Sequence, residues 1–336
     1  MKVSILVPVF GVERFIERCA RSLFEQTYHN LEYIFIDDGS TDRSIEILQS
    51  VVEEYPTRKA AVRIIRHDHN RGLGAARNTA LDNATGEFVY HVDSDDFIER
   101  DAIRLLVTRQ TETDADIITG NALIIYPYKS FVDTEPDYVD SSTMTLAILK
   151  RHHFIWNRLI RLSLYNDNEI RVKEGVDYCE DYQQTPRLAF LARKVARIDK
   201  ITYYYCRDNA ASYGALFNED YGLIRDALDS YRLVEEFFSD KGKVYYNAAR
   251  CGTTRRILFI MRSKAVLNDR EFFQEMKNLA LNQYSDVLGS TRLRRIVSRL
   301  AISNIHLYKF LSKLYGFYQR CRLSWKARKW KYRQVC

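Results

Sequence analysis

The most restrictive feature of this 336-residue sequence is a series of short, continuous apolar runs in its first hundred residues, separated by stretches of helical period. The runs are Val3–Val9, Tyr33–Ile36, Val62–Ile65 and Phe88–Val92, and the stretches between them are Val12–Gln26, Ser44–Glu54 and Leu73–Ala84. A strand with one wet face alternates apolar and polar residues, so a run that is apolar throughout needs cover on both faces. Helical connections make such strands parallel. The chain therefore reads as α/β, a mostly parallel central sheet flanked by helices. Ligands of such sheets collect at the carboxyl ends of the strands. That rule lines up Pro8–Glu13, Asp37–Asp42, His67–Gly74 and Asp93–Asp96 along one crevice.

From Asp114 to about Asn209 the pattern is mixed, with strand-like Ile117–Ile125, a polar loop over Pro127–Ser142 and a closing strand at Ile201–Tyr205. Beyond Tyr213 the period is helical throughout. The expected division is a crevice-bearing domain over 1–214 and a helical C-terminal region over 215–336. Six scattered cysteines form neither Cys-x-x-Cys pairs nor a disulfide scaffold, which fits reduced thiols in a cytoplasmic protein. No run reaches the length of a membrane span, and the N-terminus lacks the layout of a signal peptide. Charge is distributed unevenly. Val287–Cys336 holds 13 Lys and Arg and no acid, which leaves 38 basic against 44 acidic residues in the remainder. Apolar residues recur with helical spacing from Leu293 to Tyr318, and Trp325, Trp330 and Tyr332 follow. Such a tail suits peripheral attachment to an anionic membrane surface on its cytoplasmic face, the alternative being helices packed on the first domain. Nucleic acid is not among the expected partners.

Asp93-Ser94-Asp95-Asp96 directly follows an apolar strand, so three carboxylates meet at a strand end. Hard oxygen ligands of this kind suit Mg²⁺ or Mn²⁺, which take one or two carboxylates and complete their shell with phosphate oxygens. The plainer reading is a cap on the next helix. Asp37-Asp38-Gly39-Ser40-Thr41-Asp42 is also a strand-to-helix turn, yet a turn does not need two adjacent carboxylates; one could accept the imide N–H of uracil. Arg77, behind a glycine-rich loop, offers a fork for phosphate or base oxygens. Glu180-Asp181 opens a helix-like segment far down the chain and could supply a general base, although an acidic pair on a helix is commonly a solvated face. Trp156, between Ile155 and Leu159, could stack on a sugar or lie in the core.

The linked segments VSILVPVFGVERFIERCARSLFEQTY, YIFIDDGSTDRS and NRGLGAARNTALDNATGEFVYHVDSDD, followed by Trp156-Asn157-Arg158 and Glu180-Asp181, resemble family 2 glycosyltransferases of the GT-A fold in order and spacing. The resemblance is close over residues 3 to 110 and thins to islands up to 212. It implies an inverting, metal-dependent transferase of the hexosyl type that moves a sugar from a UDP-sugar donor to a glycan or lipid-linked glycan acceptor in bacterial polysaccharide or glycolipid synthesis. By the same resemblance Pro8, Phe10 and Glu13 form the nucleotide-binding first turn, Asp38 meets the uracil, and Arg77 lies near the nucleotide. Asp93, with Ser94, contacts ribose or diphosphate, Asp95 is the metal ligand, Asp181 beside Glu180 is the base, and Arg207 and Ser212 close over the diphosphate or acceptor. Gly11 departs from the Asn common at that place in the family.

Two rivals remain on the sequence. A sugar nucleotidyltransferase normally carries a glycine-rich, basic phosphate loop after its first strand, where this chain has Pro8-Val9-Phe10-Gly11-Val12-Glu13. A non-catalytic membrane-associated scaffold would not need the acidic sites. A dehydrogenase is disfavoured because no Gly-x-Gly-x-x-Gly follows the first strand.

Overall fold

A computed structural model describes residues 1–150, 154–209 and 216–283. The alternation of runs and helical stretches gives β1 (Val3–Val9), α1 (Ile16–Phe24), β2 (Leu31–Asp37), α2 (Ser44–Glu53), α3 (Pro56–Lys59), β3 (Val62–Arg66), α4 (Leu73–Asp82) and β4 (Phe88–His91). There follow β5 (Phe97–Ile98), α5 (Ala102–Thr113), β6 (Ile117–Tyr126), β7 (Lys129–Asp133), α6 (Ser141–Lys150), β8 (Arg158–Arg161), α7 (Leu162–Asn166), α8 (Glu180–Leu191) and β9 (Val195–Cys206). The described remainder is helical: α9 (Tyr221–Phe238), α10 (Lys243–Ile260), α11 (Lys264–Asn268) and α12 (Arg270–Gln283).

The strands form one sheet in the order β3-β2-β1-β4-β8-β6-β9-β5, with β7 paired outside this path to β6. The left half is parallel, as the apolar runs require. Val3, Ile5, Val7 and Val9 of β1 pack with α1, α2 and α5, while Leu6 of the same strand packs with α4, α6 and α8. Each central strand thus buries both faces, which is why its sequence is apolar without alternation. Pro8 is tolerated in β1 because the ladder to β4 ends at Leu6, two residues earlier, so its missing N–H removes no bond on that side.

The right half departs from the sequence expectation. β8 is antiparallel to both β4 and β6 and lets the sheet continue into its second half. The span expected to be a polar loop contains β7, which makes an antiparallel hairpin with β6. Four residues of β8 and five of β7 are too few for a period to declare itself, and strand direction leaves no trace in composition.

The chain divides into two compact units, Met1–Ala210 with Arg225–Ser239, and Ala211–Ile224 with Asp240–Cys336. Most of α9 therefore belongs with the sheet. In the second unit Phe217 stacks on Phe259, and Tyr221 meets Phe272. The basic tail beyond 283 lies outside the described residues.

At the amino ends of the strands the buried Glu32 accepts from Ser4 Oγ at 2.5 Å, Thr85 N at 2.7 Å and Lys2 Nζ at 2.8 Å, joining β1, β2 and the entry to β4. Burial alone would raise its carboxyl, but the bonds from Lys2, Ser4 and Thr85 outweigh it and bring the pKa down to about 2. A folded value below the unfolded one gives stability that is present above the ordinary carboxylate range and lost as pH falls through about 2. Glu32→Gln should cost about 1–3 kcal/mol at neutral pH. Urea melts at stepped pH check this: the gap to the native protein should close as pH falls toward 2.

Candidate active site

The carboxyl end of β4 runs into a turn closed by Asp96 N donating to Asp93 O at 3.0 Å. Asp96 has no exposed surface; its Oδ2 accepts from the Tyr203 hydroxyl at 2.8 Å and its Oδ1 from Cys206 N at 2.7 Å. The same Tyr203 oxygen accepts from Asp93 N at 3.1 Å, so one phenol on β9 fixes both ends of the turn. Asp96 is thereby committed to the fold, and Asp93 and Asp95 remain. Asn209 donates to Asp95 Oδ2 at 2.9 Å, and Arg18 donates to the Asp95 carbonyl at 2.7 Å. Burial, followed by the charge of Asp93, pushes the Asp95 carboxyl up to about 6. Among the described residues no three His, Cys, Asp or Glu form a complete metal cage. Two adjacent carboxylates, one raised by the other, are nevertheless a donor set that fits Mg²⁺ or Mn²⁺ when phosphate oxygens supply the rest of the shell.

Arg77, on α4, is 1% exposed. Its Nη2 donates to Asp93 Oδ1 at 2.8 Å and its Nε to Glu180 Oε1 at 3.1 Å, and Nη2 lies 3.6 Å from Asp181 Oδ1. The sequence suggested a contact with the nucleotide; buried to this degree, the guanidinium instead faces the carboxylates and holds them together. Burial disfavours its charge, but Asp93, Asp181 and Glu180 more than restore it. Glu180 and Asp181 open α8 after Cys179, which adopts a left-handed φ of 64°. They are buried, not a solvated face. Burial and then the neighbouring Glu180 charge drive Asp181 well above the usual carboxylate range, and burial also raises Glu180 against the pull of Arg77. Glu180 is engaged by Arg77, whereas Asp181 Oδ1 has no hydrogen-bond partner among the described residues. A desolvated carboxyl of raised proton affinity, held beside a fixed cation, is suited to accept a proton.

The strand ends on the other side are arranged differently. Phe10 is 50% exposed just past β1, where Gly11 takes a φ of 64° that Asn, its common counterpart in the resembling family, also tolerates. Glu13 Oε2 accepts from Arg43 N at 3.0 Å, and Glu13 N donates to Asp42 Oδ2 at 3.0 Å, tying the first turn to the second. Asp38 is 3% exposed; Oδ1 accepts from His67 Nδ1 at 2.6 Å and Arg71 N at 2.9 Å, and Oδ2 from Gly72 N at 2.9 Å. A carboxylate offers about four acceptor positions, so organising the loop after β3 still leaves Asp38 room for one more donor.

That loop is clasped to the segment leading into α8. Arg71 pairs with Glu174 at 3.1 Å, Asp177 Oδ1 accepts from Gly74 N at 3.0 Å, and Asn78 exchanges two hydrogen bonds with the Val172 backbone at 2.8 and 2.9 Å. Asp177 acts as the missing N-cap of α4. Arg207 is exposed directly after β9 and donates to the Tyr205 hydroxyl at 2.8 Å. Ser94 is buried in the turn, Trp156 is core and stacks on Tyr203 at 4.6 Å, and Ser212 lies outside the described residues. Tyr203, Asp177 and Arg18 went unnoticed in the sequence. Tyr203 acts on residues 107 and 110 positions away, and nothing in the run Tyr203-Tyr204-Tyr205 singles it out.

A Cβ on Gly72, whose φ is 90°, would stand 2.0 Å from Asp177 Oδ2. Gly72→Ala should therefore destabilise the protein by roughly 1–3 kcal/mol through backbone strain alone, with turnover falling as the clasp opens. Thermal melts alongside rate measurements check this; an unaltered melting temperature would refute it.

A model of glycosyl transferase family 2 matches residues 4–161. Glycosyltransferase GlyA of Streptococcus pneumoniae is 40% identical over 134 residues, which are 40% of this chain and 18% of GlyA. The poly(ribitol-phosphate) beta-glucosyltransferase of Bacillus spizizenii is 34% identical over 214 residues, covering 61% of this chain and 32% of that protein. The chain thus spans about a third or less of the length of these two relatives. TarS of Staphylococcus aureus in complex with UDP-GlcNAc superposes with a TM-score of 0.68 at 19% identity over 94% of this chain and 92% of that one, a likeness of fold. Carboxylates at the end of β4, an acidic pair opening α8 and the match over residues 4–161 converge: over just under half its length the chain is similar to glycosyl transferase family 2, and it is built on the fold it shares with TarS.

Proposed function

We propose that the enzyme transfers a hexose from a UDP-sugar to a glycan or lipid-linked glycan hydroxyl with inversion at the anomeric carbon, in the synthesis of a surface polysaccharide or glycolipid. The observation that carries this reading is the bridge from Asp93 through Arg77 to Glu180 and Asp181, which puts the acidic turn and a basic carboxylate in one site. A UDP donor is supported by the UDP-GlcNAc complex of the structurally similar TarS, and a polymeric acceptor by the name of the Bacillus spizizenii relative.

Asp95, with Asp93 beside it, would hold the Mg²⁺ or Mn²⁺, which when bound supplies charge neutralisation to the diphosphate. Phe10 offers an exposed ring face to the base, and the remaining acceptor position of Asp38 suits the uracil N–H. Arg207, free of the core, is available to the leaving diphosphate. Asp181 takes the proton of the acceptor hydroxyl as that oxygen bonds to the anomeric carbon and the carbon–oxygen bond to the β-phosphate breaks. Product glycoside and UDP leave, and the proton stays on Asp181 until it passes to water. One displacement inverts the configuration without a covalent sugar intermediate.

Asp181→Asn should lower kcat by roughly 10² to 10⁴ while UDP binding persists. A normal rate in Asp181→Asn with a collapsed rate in Glu180→Gln would reverse the assignment within the pair. Asp95→Asn should abolish metal-dependent release of UDP from a panel of UDP-sugars, and full activity in excess EDTA would exclude the metal role. Membrane attachment rests on the sequence of 287–336, whose 13 basic residues and interfacial aromatics favour anionic lipid. Among the described residues no helix is long and apolar enough to cross a membrane. Truncation after Gly289 should abolish low-salt sedimentation with anionic liposomes; equal sedimentation of both forms would place the contact elsewhere.

A further inference from the structure

The β6–β7 hairpin carries an arrangement that the donor chemistry does not use. Its tip is Pro127-Tyr128, where turns ordinarily place small or polar residues, and Tyr128 is 81% exposed. Phe131, 41% exposed, stacks on Tyr126 at 6.2 Å and 24°, and Tyr126 and Tyr128 are 6.4 Å apart. Lys129 Nζ lies over both tyrosine rings, 4.9 Å from Tyr126 and 5.8 Å from Tyr128. Solvent exposure of this much aromatic surface at a loop tip stabilises nothing in the fold.

The hairpin is continuous with the catalytic crevice. Because β6 and β9 run parallel, Arg207 N donates to Ile125 O at 2.8 Å and the guanidinium falls between the Tyr126 ring at 5.9 Å and the Tyr205 ring at 5.5 Å. Trp156 links Tyr205, at 5.2 Å, to Tyr203, at 4.6 Å, the residue that fixes the acidic turn. Tyr178, three residues before Asp181, is close enough to Tyr205, Glu180 and Arg207 to feel their charges. An aromatic strip with cationic groups on its ring faces thus runs from Tyr203, beside the acidic turn, to the solvent-exposed tip.

We infer that the outer strip, Tyr205, Tyr126, Phe131 and Tyr128, is the platform on which sugar rings of the acceptor stack, on the ring surface that Arg207 and Lys129 leave uncovered, as its terminal hydroxyl reaches Asp181. This rests on the glycosyl-transfer reading above. The C–H face of a pyranose is apolar and complements the electron-rich face of an aromatic ring, while its hydroxyls are left for guanidinium and ammonium donors. A lipid contact would engage Tyr128 and Lys129 alone; it would leave unused the continuity of the strip with the acidic turn through Tyr205, Trp156 and Tyr203.

The test uses the full chain and measures binding of chitotetraose, cellotetraose and maltotetraose by saturation-transfer NMR and calorimetry, without donor. At least one should bind the native protein in the millimolar range, and Tyr128→Ala/Phe131→Ala should weaken it by about tenfold, the size expected when two stacking faces are lost. Tyr128→Phe/Phe131→Tyr should retain it, and calorimetric UDP affinity should be equal in all three proteins. Equal oligosaccharide binding by the native and doubly truncated proteins would overturn the inference, as would absence of binding for all three sugars. So would loss of liposome sedimentation in the double alanine variant with sugar binding intact, which would make the hairpin a membrane contact. Failure of the native protein to bind UDP or hydrolyse any UDP-sugar would instead sink the donor reading, which the sugar titration does not depend on.

Discussion

The site depends on the burial of one positive charge. An isolated guanidinium in a protein interior is too costly to persist, so Arg77 at 1% exposure obliges the chain to bring anions to it. Those anions come from the end of β4, 16 residues on, and from the start of α8, 103 residues on. Conversely, Glu180 and Asp181 could not share a buried helix N-terminus with Asp93 nearby without a fixed cation among them. Each side of this arrangement compensates the other, which makes the spacing between the acidic turn and the Glu180-Asp181 pair a property of the fold.

A second constraint links the loop around Asp38 to the acidic pair of α8. Asp38 gathers the amides of Arg71 and Gly72, and the Arg71 side chain and the Gly74 amide are held by Glu174 and Asp177 on the segment that enters α8. A shift of the loop after β3 is therefore transmitted over a few hydrogen bonds to the helix that bears Asp181.

Tyr203 accounts for the third acid of the turn after β4. Asp96 pairs with the phenol and with the Cys206 amide, anchoring the turn to β9, while Asp93 is left to pair with Arg77 and Asp95 with Asn209. Because β9 also runs on to Arg207 and borders the hairpin, a single strand connects the acidic turn with the exposed aromatic surface.

The sequence by itself determined the parallel half of the sheet, because strands buried on both faces must be apolar throughout and helices between them must be amphipathic. It also located the acidic turn, the Asp37–Asp42 turn and the Glu180-Asp181 pair, since strand ends and local clusters are written in contiguous residues. Tertiary structure alone decided which acids of the turn are tied into the fold: Asp96 and Asp95 are neighbours in the chain, yet only Asp96 meets a phenol 107 residues away. It likewise turned Arg77 inward and made β8 antiparallel, and it set Asp177 against Gly74. Each of these outcomes depends on packing between segments distant in the chain, and burial, the quantity that fixes a charged residue's role, has no local signature.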